Sequence, residues 1–342
     1  MCGIFGFAKT SGRQNNNQLE ILKRVMTELT DESSIRGTDS TGFSIMDSHN
    51  RYTYKTLVDS STLVSKPDWD NLLDKITRDT TVFMGHVRLA TTGVVNVENA
   101  HPFNIGSVTG VHNGIIHNYN QVSKSLGKDT PSVDSQVLFQ SLNKREMSKA
   151  FEDIDGDFAI TWVKDSNRKV HLARESGRPM VTAYWKKARV LLWASTREIM
   201  LDAMIRAGLV LPIKSVKEDY IYTYDTDMFD GRPNVDSVEF ETLSQLDYGY
   251  NSYNWQPYSG VRYYNKGRLS MSPATKSLYG ATTCDTKPKE LCYYCYEYAP
   301  VDEVVDNDGR PICVQCEVVE YNQMYSQEDK REVDNEESSF PY

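Results

Sequence analysis

The sequence predicts an α+β layered sandwich, and three observations carry that expectation. Segments rich in β-branched and aromatic residues recur at 3–7, 42–46, 52–57, 82–87, 107–111, 158–163, 170–173, 181–185 and 190–194. Several are joined by short turns, as at Lys164-Asp165-Ser166-Asn167, which favours antiparallel pairing over repeated βαβ units. Others, such as Val190-Leu191-Leu192-Trp193-Ala194, are apolar on both faces and therefore need helical cover.

The helices are read from periodicity. Leu19, Leu22, Val25, Met26 and Leu29 repeat at helical spacing and predict an amphipathic helix over 18–31. Residues 135–142 and 198–207 also read as helices, with Val137, Leu138 and Leu142 on one face of the former. The 342 residues suffice for a large domain plus a smaller one, and an apolar fraction of 39% beside a charged fraction of 25% allows a real core.

Four zones follow: an alternating strand-and-helix domain over 1–225, an irregular polar linker over 226–286, a compact cysteine-bearing module over 287–320, and an acidic tail over 321–342. The linker carries six tyrosines and Trp255 between 248 and 264. In the tail, Glu328, Asp329, Glu332, Asp334, Glu336 and Glu337 face only Lys330 and Arg331, the signature of a solvated, disordered end. A net charge of −9 disfavours a nucleic-acid surface. No run approaches the roughly 18 apolar residues of a membrane span, and no secretory signal is expected. A cytoplasmic, reducing setting is the expectation, where thiols serve catalysis or metals more often than disulfides.

The cysteines divide accordingly. Cys2 directly follows the initiator methionine, ahead of a strand-like run. Removal of Met1, which a small second residue favours, would put a thiol and an α-amine on one residue. With unperturbed pKa values of roughly 8.5 and 7.7–8.0, the amine can take the thiol proton near neutral pH. A buried structural cysteine is the alternative. Cys292-Tyr293-Tyr294-Cys295 and Cys313-Val314-Gln315-Cys316, 17 residues apart, have the spacing of two knuckles closing one tetrahedral zinc site. Asn307-Asp308-Gly309 supplies a turn between them. Such a site has no open coordination position, so the zinc is expected to be structural, while Cys284 is a bystander. Redox use of the four thiols is the alternative.

Four further segments carry more polar specification than packing needs: Arg36-Gly37-Thr38-Asp39-Ser40-Thr41-Gly42, Gly85-His86-Val87-Arg88-Leu89-Ala90-Thr91-Thr92-Gly93, His112-Asn113-Gly114-Ile115-Ile116-His117-Asn118, and Asp134 ahead of a helix. Alone, Asn113-Gly114 reads as a hairpin turn and Asp134 as a helix cap. Arg36 and Asp39 read as stabilisers of their own loop, and His86, His112 and His117 as satisfied strand or loop histidines.

Together with Cys2 and His101-Pro102, these segments resemble the glutaminase domain of the class II glutamine amidotransferases, which are N-terminal-nucleophile hydrolases. Later echoes are Gly156-Asp157-Phe158-Ala159, Gly177-Arg178-Pro179 and Ala194-Ser195-Thr196-Arg197-Glu198. The resemblance covers about residues 2–215. It implies a four-layer αββα sandwich of two antiparallel sheets, to which the small zinc-ribbon-like module is added. It further implies that Cys2 attacks the side-chain amide of glutamine, that Asn113 and Gly114 form the oxyanion hole, and that Arg88, Thr91 and Asp134 bind the amino-acid head group. His101 would lie beside the pocket. Ammonia and a γ-glutamyl thioester would result, and no organic cofactor is expected.

Members of that family usually carry a fused synthetase domain, and none is recognisable after residue 225. A protein partner that consumes the ammonia is therefore expected, docked by the ribbon or the tyrosine-rich segment. A stand-alone hydrolase of another γ-glutamyl amide, or a catalytically silent zinc-dependent binding protein, are the alternatives.

Overall fold

The computed structural model describes residues 2–227 except 91, 92 and 165, together with 236–239, 242, 289–291, 298–300, 304–307 and 310–313. The strands are β1 (Gly3–Lys9), β2 (Ser40–Met46), β3 (Arg51–Thr56), β4 (Val82–Arg88), β5 (Phe103–Ile105), β6 (Val108–Ile116), β7 (Gly156–Lys164), β8 (Ser166–Arg174), β9 (Val181–Trp185), β10 (Val190–Ala194), β11 (Ile213–Ser215), β12 (Tyr220–Asp225) and β13 (Asp236–Glu239). Short strands β14 (Lys289–Leu291), β15 (Tyr298–Pro300), β16 (Val304–Asn307) and β17 (Arg310–Cys313) follow. The α-helices are α1 (Asn16–Glu32), α2 (Ser60–Val64), α3 (Asp68–Leu73), α4 (Tyr119–Ser125), α5 (Ser135–Lys144) and α6 (Arg197–Arg206).

Two antiparallel sheets carry the domain. One has seven strands in the order β11-β9-β10-β1-β4-β2-β3, the other six in the order β13-β12-β8-β7-β6-β5. The period-two alternation of β1 shows how they stack. Phe5 and Phe7 pack outward against Leu22, Val25, Met26 and Leu29 of α1. Ile4 and Ala8 point inward, to a core shared with Val111, Ala159, Val163 and Leu172 of the six-stranded sheet. The outer face of that sheet presents Phe158, Ile160 and Trp162 to Val137, Leu138 and Leu142 of α5. Helices thus cover both outer faces, and each fully buried large apolar side chain stabilises by about 1.5–3 kcal/mol.

Local chemistry places the long helix. Asn15 accepts from Gln18 N at 2.8 Å and Gln18 Oε1 accepts from Asn15 N at 3.1 Å, a reciprocal cap that starts α1 ahead of its apolar stripe. Among the described residues no helix is long and apolar enough to cross a membrane. One expectation is corrected. Asn113-Gly114 lies within β6, where Asn113 pairs with Ala159 and Gly114 with Phe158, instead of at a hairpin turn. Residues 119–125, which periodicity left unassigned, form α4.

Of the cysteine module, β14 pairs with β15 and β16 with β17. Cys292, Cys295 and Cys316 lie outside the described residues, as do Cys284, most of the tyrosine-rich linker and the tail. Cys313 is described as the last residue of β17.

Candidate functional site

Cys2 hangs from the start of β1, a strand flanked on both sides by β10 and β4. Its thiol donates to the carbonyl of Leu89 at 3.5 Å. Burial pushes the thiol pKa up, with the Leu89 contact and nearby Arg88 opposing it. At neutral pH the sulfur is therefore protonated and needs a base before it can attack.

The Cys2 backbone is held as well. Arg36, buried in the 3-10 turn Ser33–Arg36, donates from Nε to the Cys2 carbonyl at 2.7 Å. Gly37 follows because nothing larger fits: a Cβ there would lie 2.5 Å from the carbonyl carbon of Arg88. Asp39 then takes the Ala90 N–H at 2.7 Å, while its own N–H donates to the Arg88 carbonyl at 2.9 Å. The Arg-Gly-x-Asp turn is thus a cradle for the end of β4. Asp39 stabilises a loop, as expected, but that loop is the neighbouring one. Arg36 reaches beyond its loop to the backbone of Cys2.

Above the sulfur lies a small pocket lined by Cys2, Arg88, His101, Gly114 and Asp134, with Leu89, His112, Val133 and Ser135 completing the wall. Arg88 closes β4 and is buried, with Nη1 donating to the Val94 carbonyl at 3.4 Å. Asp134 occupies the N-cap position of α5 but makes no side-chain cap bond. Instead its Oδ2 accepts from Ile116 N at 2.8 Å, across from the end of β6. Asp157 takes the preceding N–H, Ile115, at 3.1 Å and pairs with Arg178 at 2.9 Å. The Gly-Asp-Phe and Gly-Arg-Pro echoes therefore meet, fixing the same strand end.

Gly114 is required by geometry. Its φ of +147° is one that L side chains rarely adopt, and a Cβ would lie 1.9 Å from the Asp157 carbonyl oxygen. Asn113, beside it, does not line the pocket; its Nδ2 donates to Ser195 Oγ at 2.8 Å. Thr91 lies outside the described residues.

Three buried histidines cluster at the site, His101 and His112 lining the pocket and His86 stacked on His101. The His86 and His101 ring centroids are 4.0 Å apart, and those of His101 and His112 6.5 Å. His86 Nε2 meets the His112 carbonyl at 3.0 Å, and His112 Nδ1 meets Ser135 Oγ at 2.7 Å. Burial lowers the pKa of all three, that of His86 to about 3. They stand neutral at pH 7, which keeps competing positive charge away from Arg88. His86 is satisfied as expected; among the described residues the His112 ring is bonded only through Nδ1, its Nε2 is buried without a partner, and the ring is part of the pocket wall. His117 is exposed, away from these contacts.

Cys2, Arg88, His101, Gly114 and Asp134 thus share one pocket, with Asn113 one residue behind it. Arg36, Asp157, Arg178 and Ser195 support the site through contacts that span 21 to 82 positions of sequence. Arg36, Asp157, Arg178 and Ser195 were all present in the motifs, but nothing in the local pattern disclosed their partners.

A protein-family model described as a glutamine amidotransferase domain matches residues 86–202. The glutamine–fructose-6-phosphate aminotransferase [isomerizing] of Oceanobacillus iheyensis is 29% identical over 195 residues, covering 53% of this chain and 30% of that protein. Its counterpart in Buchnera aphidicola is 24% identical over 294 residues, covering 80% of this chain and 45% of that protein. The chain thus spans less than half the length of these relatives. Among solved structures, the glutamine phosphoribosylpyrophosphate amidotransferase of B. subtilis superposes with a TM-score of 0.52 at 19% identity, over 70% of this chain and 49% of that one. Another, described as the allosteric regulatory enzyme of purine biosynthesis, gives 0.53 at 19% identity over the same shares. The chain has the fold of these amidotransferases and is similar in sequence to glutamine amidotransferases through its matched segment. That segment includes Arg88, His101, Asn113, Gly114 and Asp134, and Cys2 precedes it.

Proposed function

We propose that this protein hydrolyses the side-chain amide of glutamine through Cys2 and passes the ammonia to an acceptor held by a partner protein. The observation that carries this reading is the convergence of Cys2, Arg88, Gly114 and Asp134 on one pocket. Each element suits one part of a glutamine. The guanidinium of Arg88 pairs with the α-carboxylate, where a planar fork can bind both oxygens. The Asp134 carboxylate takes the α-ammonium, and the Thr91 hydroxyl adds a contact to the same head group. His101, neutral and enclosed, shapes the wall.

The chemistry needs a base at the sulfur, because burial holds the thiol protonated. Once Met1 is removed, the α-amine of Cys2 accepts that proton. The sulfur adds to the amide carbon, and the resulting oxyanion is met by the backbone N–H of Gly114 and the second Nδ2 hydrogen of Asn113. Such a donor typically supplies about 2.7–4 kcal/mol of barrier lowering. Collapse of the tetrahedral intermediate breaks the C–N bond, and the amine-held proton goes to the leaving nitrogen as ammonia. Water then cleaves the γ-glutamyl thioester to glutamate and restores the thiol.

Cys292, Cys295, Cys313 and Cys316 would hold a zinc ion. Four thiols in two Cys-x-x-Cys pairs are a donor set that suits tetrahedral zinc. The first pair falls between β14 and β15, and the second begins where β17 ends. Bound there, zinc would supply a structural cross-link for a stretch poor in aliphatic residues. We assign this module and the tyrosine-rich segment to docking the ammonia-consuming partner.

The test is ammonia release from glutamine by protein whose intact mass shows loss of Met1, alongside Cys2→Ala and Cys2→Ser. Activity abolished in both variants, with stoichiometric labelling of wild-type Cys2 by a diazoketone analogue of glutamine, is the expected result. Undiminished turnover in either variant overturns the reading. Gentle co-purification that yields no ammonia-consuming enzyme would overturn the docking assignment separately.

A further inference from the structure

We infer that Ser195 is a positioning residue that sets the nucleophile strand and the Asn113 amide against each other, an inference that rests on the function proposed above. Ser195 follows the last residue of β10 and is buried. Its hydroxyl makes three contacts. It accepts from Ile4 N at 2.8 Å, accepts from Asn113 Nδ2 at 2.8 Å, and donates to the Ile4 carbonyl at 3.3 Å. A serine hydroxyl has one proton and two lone pairs, so these contacts exhaust it.

Two consequences follow from that saturation. First, the orientation of the Asn113 amide is fixed. With the single hydroxyl proton directed at Ile4, Ser195 can accept from Asn113 but cannot donate to it, so the amide nitrogen must face it. The Asn113 Oδ1 is buried without a hydrogen-bond partner, and a buried carbonyl left so costs about 1–3 kcal/mol. Among the described residues the Ser195 bond is the hydrogen bond that opposes rotation of this amide. Second, the same hydroxyl holds both the N–H and the carbonyl of Ile4, two residues from Cys2. Ile4 belongs to the seven-stranded sheet and Asn113 to the six-stranded one. One oxygen therefore joins the two sheets beside the pocket, and fixes the amide nitrogen relative to the sulfur-bearing strand.

Removal of the hydroxyl frees the amide to turn while leaving Arg88 and Asp134 in place. Ser195→Ala is expected to lower kcat for glutamine about 10- to 100-fold, approaching the loss typical of one oxyanion donor, with KM changed by about threefold or less. Ser195→Thr keeps the oxygen and is expected to recover most of the rate.

The deciding experiment is a cycle of wild type, Ser195→Ala, Asn113→Ala and the double variant. If Ser195 acts through Asn113, the double variant turns over no more slowly than Asn113→Ala within about twofold. Multiplying losses, or an unchanged kcat in Ser195→Ala, overturn the proposal. Where Ser195→Ala does not fold, Ser195→Cys carries the same cycle. An activity-free readout separates this inference from the function it rests on. Hydrogen exchange of the Asn113 side-chain NH2, followed by 15N NMR, is expected to quicken at least tenfold in Ser195→Ala, and unchanged exchange overturns the lock even if wild-type protein proves inactive on glutamine.

Discussion

Arg36 and Cys2, 34 positions apart, are joined by a 2.7 Å hydrogen bond from the guanidinium Nε to the Cys2 carbonyl. The contact fixes the backbone of Cys2 through its carbonyl. Arg36→Ala is expected to reduce kcat for glutamine about 10- to 100-fold, since small misplacements of a reacting group cost that much. Arg36→Lys should recover little, because an ammonium on a flexible stem does not reproduce a directed Nε donor. Steady-state ammonia release with thermal melts alongside would check both; wild-type kcat in Arg36→Ala would refute the positioning role.

Arg88 and Asp134 are both buried and both line the pocket. As head-group ligands their loss should weaken substrate binding more than chemistry. Arg88→Lys and Asp134→Asn are each expected to raise KM for glutamine about tenfold or more with a smaller change in kcat. Initial-rate curves decide this, and a pure kcat defect would reassign the pair.

Gly114→Ala forces a side chain onto a φ of +147° and against the Asp157 carbonyl. We expect about 2 kcal/mol or more of destabilisation, seen as a lower urea midpoint. An unchanged midpoint would show that β6 can relax around the substitution.

Acid should loosen the fold before most carboxylates titrate. His86 and His171 are buried with pKa values lowered to about 3 and about 4, and burial lowers His101 and His112 as well. Below pH 6.5 the unfolded chain binds protons that the folded chain refuses. Stability is therefore full above that pH and falls as pH drops, by up to about 1.4 kcal/mol per pH unit for each such histidine. For His86 the loss continues down to about pH 3. Urea midpoints at pH 7.0 and 5.5 test the sign, and equal midpoints would contradict the buried neutral state.

The cysteine module makes a prediction independent of turnover. Elemental analysis should find one zinc per chain in wild-type protein, and none after paired Cys292→Ser and Cys295→Ser substitution. Zinc retained by the doubly substituted chain would exclude the four-thiol site.

Much of the fold was legible because it rests on local pattern. The apolar runs at 181–185 and 190–194 became β9 and β10 with those bounds, and the stripe from Leu19 to Leu29 became α1. Elements of five to seven residues, such as α2, α3 and α4, are too short for a helical period to register. Asn113-Gly114 was misread as a turn because that dipeptide favours hairpins, and nine residues of pairing with β7 outweigh the local preference. The residues gathered at the pocket were legible through the order of their motifs. Ser195 and Arg36 were not, since a hydroxyl or guanidinium gives no local sign of a partner dozens of positions away.

The strand that begins at Gly3 is an interior member of its sheet, bonded along both edges. The entropy of fixing Cys2 beside that strand has thus been surrendered during folding, well before any ligand arrives. A reaction begun at Cys2 would start from an ordered residue, so its encounter rate should track substrate access and not the slow settling of a loose segment.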